Sequence, residues 1–178
     1  IGAVITGCSL DEMVGPGTGL DPTGVAHKKA IIAQAIDCNQ PDASDGLDIL
    51  AKVGGFEIGG IAGIILACAQ QRKPVVVDGF ISTAGALIAA TICPRCVDYM
   101  IAGHCSEEPG HKRMLAHLKL DPILDLGMRL GEGTGGAIPI DLVKEVLTHQ
   151  DEILLAELPG SKEQKAGQVA QTEATDAE

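Results

Sequence analysis

Pro74-Val75-Val76-Val77-Asp78 is the stretch on which the fold turns. Three β-branched residues in a row, closed by an acid and Gly79, form a short run with no polar alternation. Such a run is the pattern of a strand buried on both faces, as strands of parallel sheets are. Downstream, the spacing predicts a helix over 82–92, a second strand over 97–102 and a helix over 108–118. A short element over 123–128 and a helix over 137–149 complete the series. Strands alternating with helices predict an α/β fold: three layers, a mainly parallel sheet with helices on both faces, Rossmann-like. Ligands of such sheets sit beyond the carboxyl ends of the strands, where Asp78-Gly79 and Gly103-His104 fall.

Upstream the reading is helical. Residues 1–6 are apolar and stop at Gly7, and Ser9 is a suitable N-cap for a short helix through Met13, with Asp11 and Glu12 in its first turn. After the loop Gly15-Pro16-Gly17-Thr18-Gly19-Leu20, Asp21-Pro22 starts a helix that runs to about Ile36. A polar connection over 39–44 leads to a helix from Asp45 to Gly54-Gly55, and 58–70 reads as a small-residue helix. Residues 1–157 are expected to form the α/β part. Residues 158–178, rich in Gln, Lys, Glu, Ala and Thr, are expected to form a mobile acidic tail.

Bulk properties exclude several classes. The chain has 178 residues, a formal net charge of -11, no Trp, one Tyr and two Phe. That charge repels polyanions, and so few aromatics leave no stacking platforms, so nucleic acid is not an expected partner. No stretch reaches the roughly 18–20 apolar residues of a membrane span, and no secretory signal opens the chain. The six cysteines lie scattered in apolar or helical contexts, as reduced thiols of a cytoplasmic protein do. The chain begins at Ile1 inside an apolar helix rather than at Met, the pattern of a piece of a longer protein.

Four segments carry chemistry. Gly15, Gly17 and Gly19 before a helix can cradle a phosphate with backbone N–H groups, and Lys28 on that helix can reach the same anion. The loop is neither a Walker loop nor the dinucleotide fingerprint, because no Gly-Lys-Ser/Thr follows and Leu20 replaces the third glycine; a plain turn is the alternative. Cys93-Pro94-Arg95-Cys96 has metal or redox spacing, yet a zinc ribbon needs a second pair and this one ends a helix. His104-Cys105-Ser106-Glu107-Glu108 reads as an N-cap serine with acids in the first turn, or as a histidine beside a nucleophile. Finally, Leu130-Gly131-Glu132-Gly133-Thr134-Gly135-Gly136 sets one carboxylate among glycines, either a helix N-terminus or a positioned general base. No metal or redox cofactor is expected.

In order along the chain, these segments resemble the nicotinate-nucleotide:dimethylbenzimidazole phosphoribosyltransferase family of cobalamin assembly. The matching motifs are Val14 to Leu20, Lys28, Asn39-Gln40-Pro41-Asp42 with Asp45-Gly46-Leu47, and Lys52-Val53-Gly54-Gly55-Phe56-Glu57. Asp78-Gly79-Phe80-Ile81-Ser82, His104-x-Ser106-x-Glu108-x-Gly110 and Leu126-Gly127-Met128-Arg129-Leu130-Gly131-Glu132-Gly133-Thr134-Gly135 continue the series. The resemblance implies phosphoribosyl transfer from nicotinate mononucleotide to 5,6-dimethylbenzimidazole, giving nicotinate and α-ribazole phosphate. It implies Glu132 as the base that takes the benzimidazole proton, with Leu130, Gly131 and Gly133 around flat rings. By the same resemblance, Gly17, Thr18, Gly19 and Lys28 surround the nucleotide phosphate, Gly15 belongs to the same loop, and Asp78 and Ser106 line the site. It also implies a homodimer, and makes this chain the C-terminal half of a protein about twice as long. The family's upstream Gly-Asn-Thr-Thr loop with its glutamate, and much of the base pocket, would then precede Ile1. Gly103 stands where many members carry a serine, which removes a local polar side chain. A non-catalytic nucleotide-phosphate-binding domain of the same fold is the alternative from another functional class.

Overall fold

A computed structural model describes residues 1–128 and 133–148. Its elements are α1 (Gly2–Thr6), α2 (Leu10–Met13), α3 (Pro22–Asn39), α4 (Gly46–Val53), α5 (Phe56–Gln70), β1 (Val75–Val77) and α6 (Phe80–Ile92). A 3-10 segment (Pro94–Tyr99) then precedes β2 (Met100–Ala102), β3 (His104–Ser106), α7 (Pro109–Leu118), β4 (Leu124–Met128) and α8 (Thr134–Thr148). Residues 1–140 make one compact unit, and the described part of a second, 141–148, is the later half of α8. The expected tail over 158–178, Leu130, Gly131, Glu132 and the helix end expected at His149 lie outside the described residues.

Local chemistry sets the helix starts. Ser9 and Glu12 form a capping box at α2: the Glu12 N–H donates to Ser9 Oγ at 3.3 Å, and the Ser9 N–H to Glu12 Oε2 at 3.1 Å. Asp21 caps α3 by accepting the Gly24 N–H at 2.7 Å, with Pro22 in its first turn. Asp45 caps α4 through the N–H groups of Leu47 and Asp48. The core gathers on α6, where Ala86, Leu87, Ile88 and Ala89 are fully buried. Ile49 of α4, Ile58, Ala62 and Ile65 of α5, and Met114 and Leu118 of α7 join the same cluster, as do Val77 of β1 and Met100 of β2. Burying each Leu or Ile side chain is worth about 1.5–3 kcal/mol, so this aliphatic cluster sustains the unit without aromatic bulk.

The strands form two parallel pairs, β1 with β2 and β3 with β4. Where the sequence predicts a strand over 97–102, only Met100–Ala102 is extended. Pro94, with its fixed φ and no N–H to give a ladder, opens the 3-10 segment instead. The helix expected to end near Ile36 continues to Asn39, and α8 starts at Thr134 rather than Ala137. Ser106 is not the N-cap of α7, as one reading of its sequence has it. It ends β3, and Glu108 holds the cap position ahead of Pro109. Among the described residues no helix is long and apolar enough to cross a membrane.

Candidate functional site

The site is built around Gly103, where one strand changes neighbours. In β1 and β2, Val75, Val76 and Val77 face Met100, Ile101 and Ala102. The Gly103 N–H continues that ladder by donating to the Val77 carbonyl at 2.8 Å. Its own carbonyl turns the other way and accepts the Leu124 N–H at 3.1 Å, while the preceding Ala102 carbonyl accepts from Ile123 at 2.9 Å. Two consecutive carbonyls facing one neighbour break the alternation of a regular strand, so the chain bends here and passes from β1 to β4. Glycine is required by close approach: a Cβ on Gly103 would stand 2.5 Å from the Gly135 carbonyl oxygen and 3.1 Å from that of Val77.

The bend brings Asp78, just past β1, beside His104, the first residue of β3. His104 is 3% exposed and its imidazole fills a slot walled by backbone. A Cβ on Gly79 would lie 2.7 Å from its Cε1, and a Cβ on Gly135 would overlap the ring. His104 Nδ1 lies 3.9 Å from Asp78 Oδ1, and both atoms are buried without a hydrogen-bond partner among the described residues. Buried polar atoms are rarely left so, because each forgoes its hydration for nothing in return.

A second histidine, His111 of α7, lies with ring centroids 6.1 Å from His104, edge to face. Its Nδ1 accepts the Ser106 N–H at 2.8 Å, and its Nε2 lies 2.9 Å from Thr83 Oγ1. The Thr83 hydroxyl has one proton, and it goes to the Gly79 carbonyl at 2.7 Å. Nε2 therefore carries the imidazole proton and donates to Thr83, which makes His111 the neutral Nε2–H tautomer. Burial first, and the nearby His104 second, hold its pKa down to about 4.

The glycine loop lies over the start of α7. Gly17 and Gly19 take positive φ of 58° and 125°, and the Pro16 carbonyl accepts the N–H groups of Gly19 and Leu20. A Cβ on Gly15 would be 2.5 Å from both Glu108 Oε2 and the Pro109 ring, so the loop backbone rests on the α7 N-terminus. Lys28 reaches back from α3 to donate to the Gly15 carbonyl at 3.3 Å. The Asp21 carboxylate already takes the Gly24 N–H at the α3 start, so that helix N-terminus is capped from within the chain. Ser106 joins the two regions: its Oγ accepts the Glu108 N–H at 3.3 Å.

Of the residues singled out in the sequence, Gly15 and Lys28 are thus in direct contact, Gly17, Thr18 and Gly19 share their loop, and Asp78 stands with His104. Gly133 has φ 79° and accepts the N–H groups of Gly136 and Ala137 at the start of α8. A Cβ on Gly136 would sit 3.5 Å from the Asp78 Cβ, so the segment just after Glu132 returns to the strand ends. The nucleophile reading of the 104–106 segment finds no support in the geometry. Cys105 is buried with its thiol pushed up, mainly by burial, and its Sγ contacts the Ser106 carbonyl at 3.8 Å. Cys96 of the Cys-x-x-Cys pair is likewise buried, its thiol pushed up to about 11 by burial and the neighbouring Cys93, while Cys93 is exposed. Among the described residues no group of three or more His, Cys, Asp and Glu could hold a metal ion. Sequence reasoning missed Thr83 and His111. The signals were Thr83 four residues after Gly79 and a histidine in the first turn of a Pro-Gly helix.

Close backbone approach, an acid–imidazole pair at the strand ends and a glycine loop bonded to a lysine are the features that this part of the chain assembles. Residues 1–156 match the phosphoribosyltransferase family. The chain belongs to that family, the nicotinate-nucleotide:dimethylbenzimidazole phosphoribosyltransferases. The enzyme so named from Desulforudis audaxviator (strain MP104C) is 56% identical over 151 residues, covering 85% of this chain and 43% of that protein. The one from Chloroflexus aurantiacus (strain ATCC 29366 / DSM 635 / J-10-fl) is 53% identical with the same coverage. The crystal structure of CobT from Thermus thermophilus is similar with a TM-score of 0.76 at 40% identity, covering 81% of this chain and 43% of that one. The chain spans less than half the length of these relatives.

Proposed function

We propose that this chain serves phosphoribosyl transfer from nicotinate mononucleotide to 5,6-dimethylbenzimidazole. In this reaction a neutral benzimidazole nitrogen attacks the anomeric carbon, and the bond to the pyridinium nitrogen breaks with its electron pair going to nicotinate. The attacking ring would become cationic, so its other nitrogen must lose a proton, and Glu132 takes it as general base. The loop 15–19 with Lys28 holds the phosphate. Gly15, Ser106 and Asp78 line the route from that loop to the strand ends, and Leu130, Gly131 and Gly133 flank the base. The observation that carries this reading is the return of Gly135 and Gly136 to Asp78 and His104, which brings the segment following Glu132 to the strand ends.

The same reading makes the two parallel strand pairs part of a three-layer, Rossmann-like sheet in the longer protein, working as a homodimer in the cytoplasm. It is tested by titrating the chain with nicotinate mononucleotide calorimetrically, then adding dimethylbenzimidazole and measuring released nicotinate by chromatography. In a full-length protein carrying this chain, release is expected, and Glu132→Gln should lower it by about 10²–10⁴-fold with nucleotide affinity kept. An unchanged rate removes Glu132 from its role. Binding without release favours the alternative, a nucleotide-phosphate-binding portion that does not turn over by itself, which the 43% coverage of the relatives supports.

A further inference from the structure

We propose that Cys93 and Cys96 form a reversible thiol–disulfide couple: exposed Cys93 attacks a low-molecular-weight disulfide, and buried Cys96 then closes an internal bond. The couple sits ahead of β2, at the opposite end of that strand from Gly103, and goes beyond the phosphoribosyl reading.

Two observations carry it. First, the turn holds the two residues at disulfide spacing. The sequence sets this motif at the end of a helix, and the structure shows that it begins the next one too. Cys93 follows the last residue of α6, its N–H donating to the Ala89 carbonyl at 2.8 Å, and is also the N-cap of the 3-10 segment. Its own carbonyl accepts the Cys96 N–H at 2.9 Å, and Pro94 fixes φ inside the turn. One turn of 3-10 helix advances about 6 Å, and a disulfide spans Cα atoms about 4.4–6.8 Å apart. An N-cap residue and the third residue after it also bring their side chains together. Ser9 and Glu12 do so at α2, where the Ser9 hydroxyl donates to Glu12 Oε2 at 3.0 Å.

Second, the two thiols differ in access. Cys93 is exposed, whereas Cys96 is 1% exposed and belongs to the aliphatic core cluster. An outside disulfide therefore reaches Cys93, and Cys96 meets only what Cys93 carries. Burial first, and the neighbouring Cys93 second, push the Cys96 thiol up to about 11, so the closing step quickens as pH rises. In the first step the Cys93 thiolate bonds to one sulfur of the outside disulfide and expels the other as a thiolate. In the second, the Cys96 thiolate bonds to the Cys93 sulfur and the remaining outside thiolate leaves. The pair gives up two electrons and two protons, and the outside disulfide is reduced to two thiols. Because the fold already holds the turn, closure proceeds at a high effective concentration.

The test is exchange of the folded chain with oxidised glutathione, followed by iodoacetamide, unfolding and trypsin. Trypsin cuts after Arg95, between the two cysteines, so an internal bond leaves two peptides linked until dithiothreitol parts them. That linked pair is the expected product, and fragmentation should assign the bond to Cys96 rather than to Cys105 in the same peptide. Cys38, exposed on α3 with no cysteine three residues away, is the control that stops at a glutathione adduct. In glutathione redox buffers the equilibrium constant for closure should be at least about 10-fold larger in the folded chain than in urea. Glutathione should remain on Cys93 in Cys96→Ala, and Cys96 should stay unmodified in folded Cys93→Ser. A lasting glutathione adduct on Cys93 of the unaltered chain overturns the couple. So does a bond from Cys93 to Cys105, an equal constant in urea, or glutathione on Cys96 in folded Cys93→Ser. Should Cys96→Ala not fold, the peptide map of the unaltered chain and Cys93→Ser, changed at an exposed position, decide the matter.

Discussion

Lowering the pH should destabilise this protein through His111. In the folded chain the imidazole is neutral because both nitrogens are committed, Nδ1 accepting from Ser106 and Nε2 donating to Thr83. Protonation would place a second N–H against the Ser106 N–H. With a folded pKa of about 4 against 6.5 for a free histidine, the unfolded chain binds more protons in between, and stability therefore rises with pH across that window. The contribution is fully present above pH 6.5 and is lost progressively as pH falls toward 4. Between pH 7.5 and 4.5 those two values give a loss of about 2–3 kcal/mol. Urea unfolding at four pH values, on the wild-type chain and on His111→Gln, isolates it from the carboxylates. The carboxylates of Asp11, Glu12, Asp42 and Asp48, all held below their usual range by hydrogen bonds and lysine or arginine neighbours, act in both proteins alike. The glutamine can still meet Thr83 but leaves the buried Ser106 N–H unpaired, at about 1–3 kcal/mol. The variant should thus start less stable at pH 7.5 and converge on the wild type by pH 4.5. Parallel pH dependences for the two proteins would refute the neutral, doubly bonded imidazole.

Two further substitutions separate packing from backbone strain, and a third separates charge from fold. Gly135→Ala drives a methyl into the His104 ring, which Gly79 also approaches closely, and should destabilise by about 1–3 kcal/mol in chemical denaturation. Gly133→Ala meets nothing within 4 Å among the described residues and bears the strain of φ 79°, about 1–2 kcal/mol, with no effect on the His104 ring signals, which Gly135→Ala must shift. Lys28→Ala removes the lysine bonded to the glycine loop and should weaken binding of nicotinate mononucleotide by about 10-fold or more at unchanged thermal stability, measured by calorimetry. Equal affinity would take Lys28 out of the phosphate site.

Elements set by nearby residues were legible in the sequence. The capping box of Ser9 and Glu12, the Asp21-Pro22 start and the valine run of β1 each depend on residues within four positions, so reading along the chain finds them. What was not legible depends on partners far away. His104, Cys105 and Ser106 are extended because Leu124 to Met128 lies beside them, and nothing in His-Cys-Ser announces a strand. The same holds in the site. Asp78 stood out as an acid before a glycine and Lys28 as a lysine on the helix after the glycine loop, whereas Thr83 and His111 act only once α6 and α7 lie against β3. The neutral state of His111 follows from three hydrogen bonds made by residues at 79, 83 and 106, a combination no local pattern encodes.

Gly103 shows why the chemistry collects where it does. A strand that kept its ladder with β1 would present residue 104 to the same neighbour as residue 102, and no gap would open beside Asp78. By turning its carbonyl to Leu124, Gly103 hands the strand to β4 and frees the first turn beyond β1 for Gly79 and His104. The cost of that bend is a position where no side chain fits, and the vacated space is taken by the Gly135 carbonyl. One residue without a Cβ thereby draws three strand ends and the segment after Glu132 to a single point. A serine at this position would have to move either the Val77 ladder or the Gly135 loop, so its absence from this chain has a structural reason.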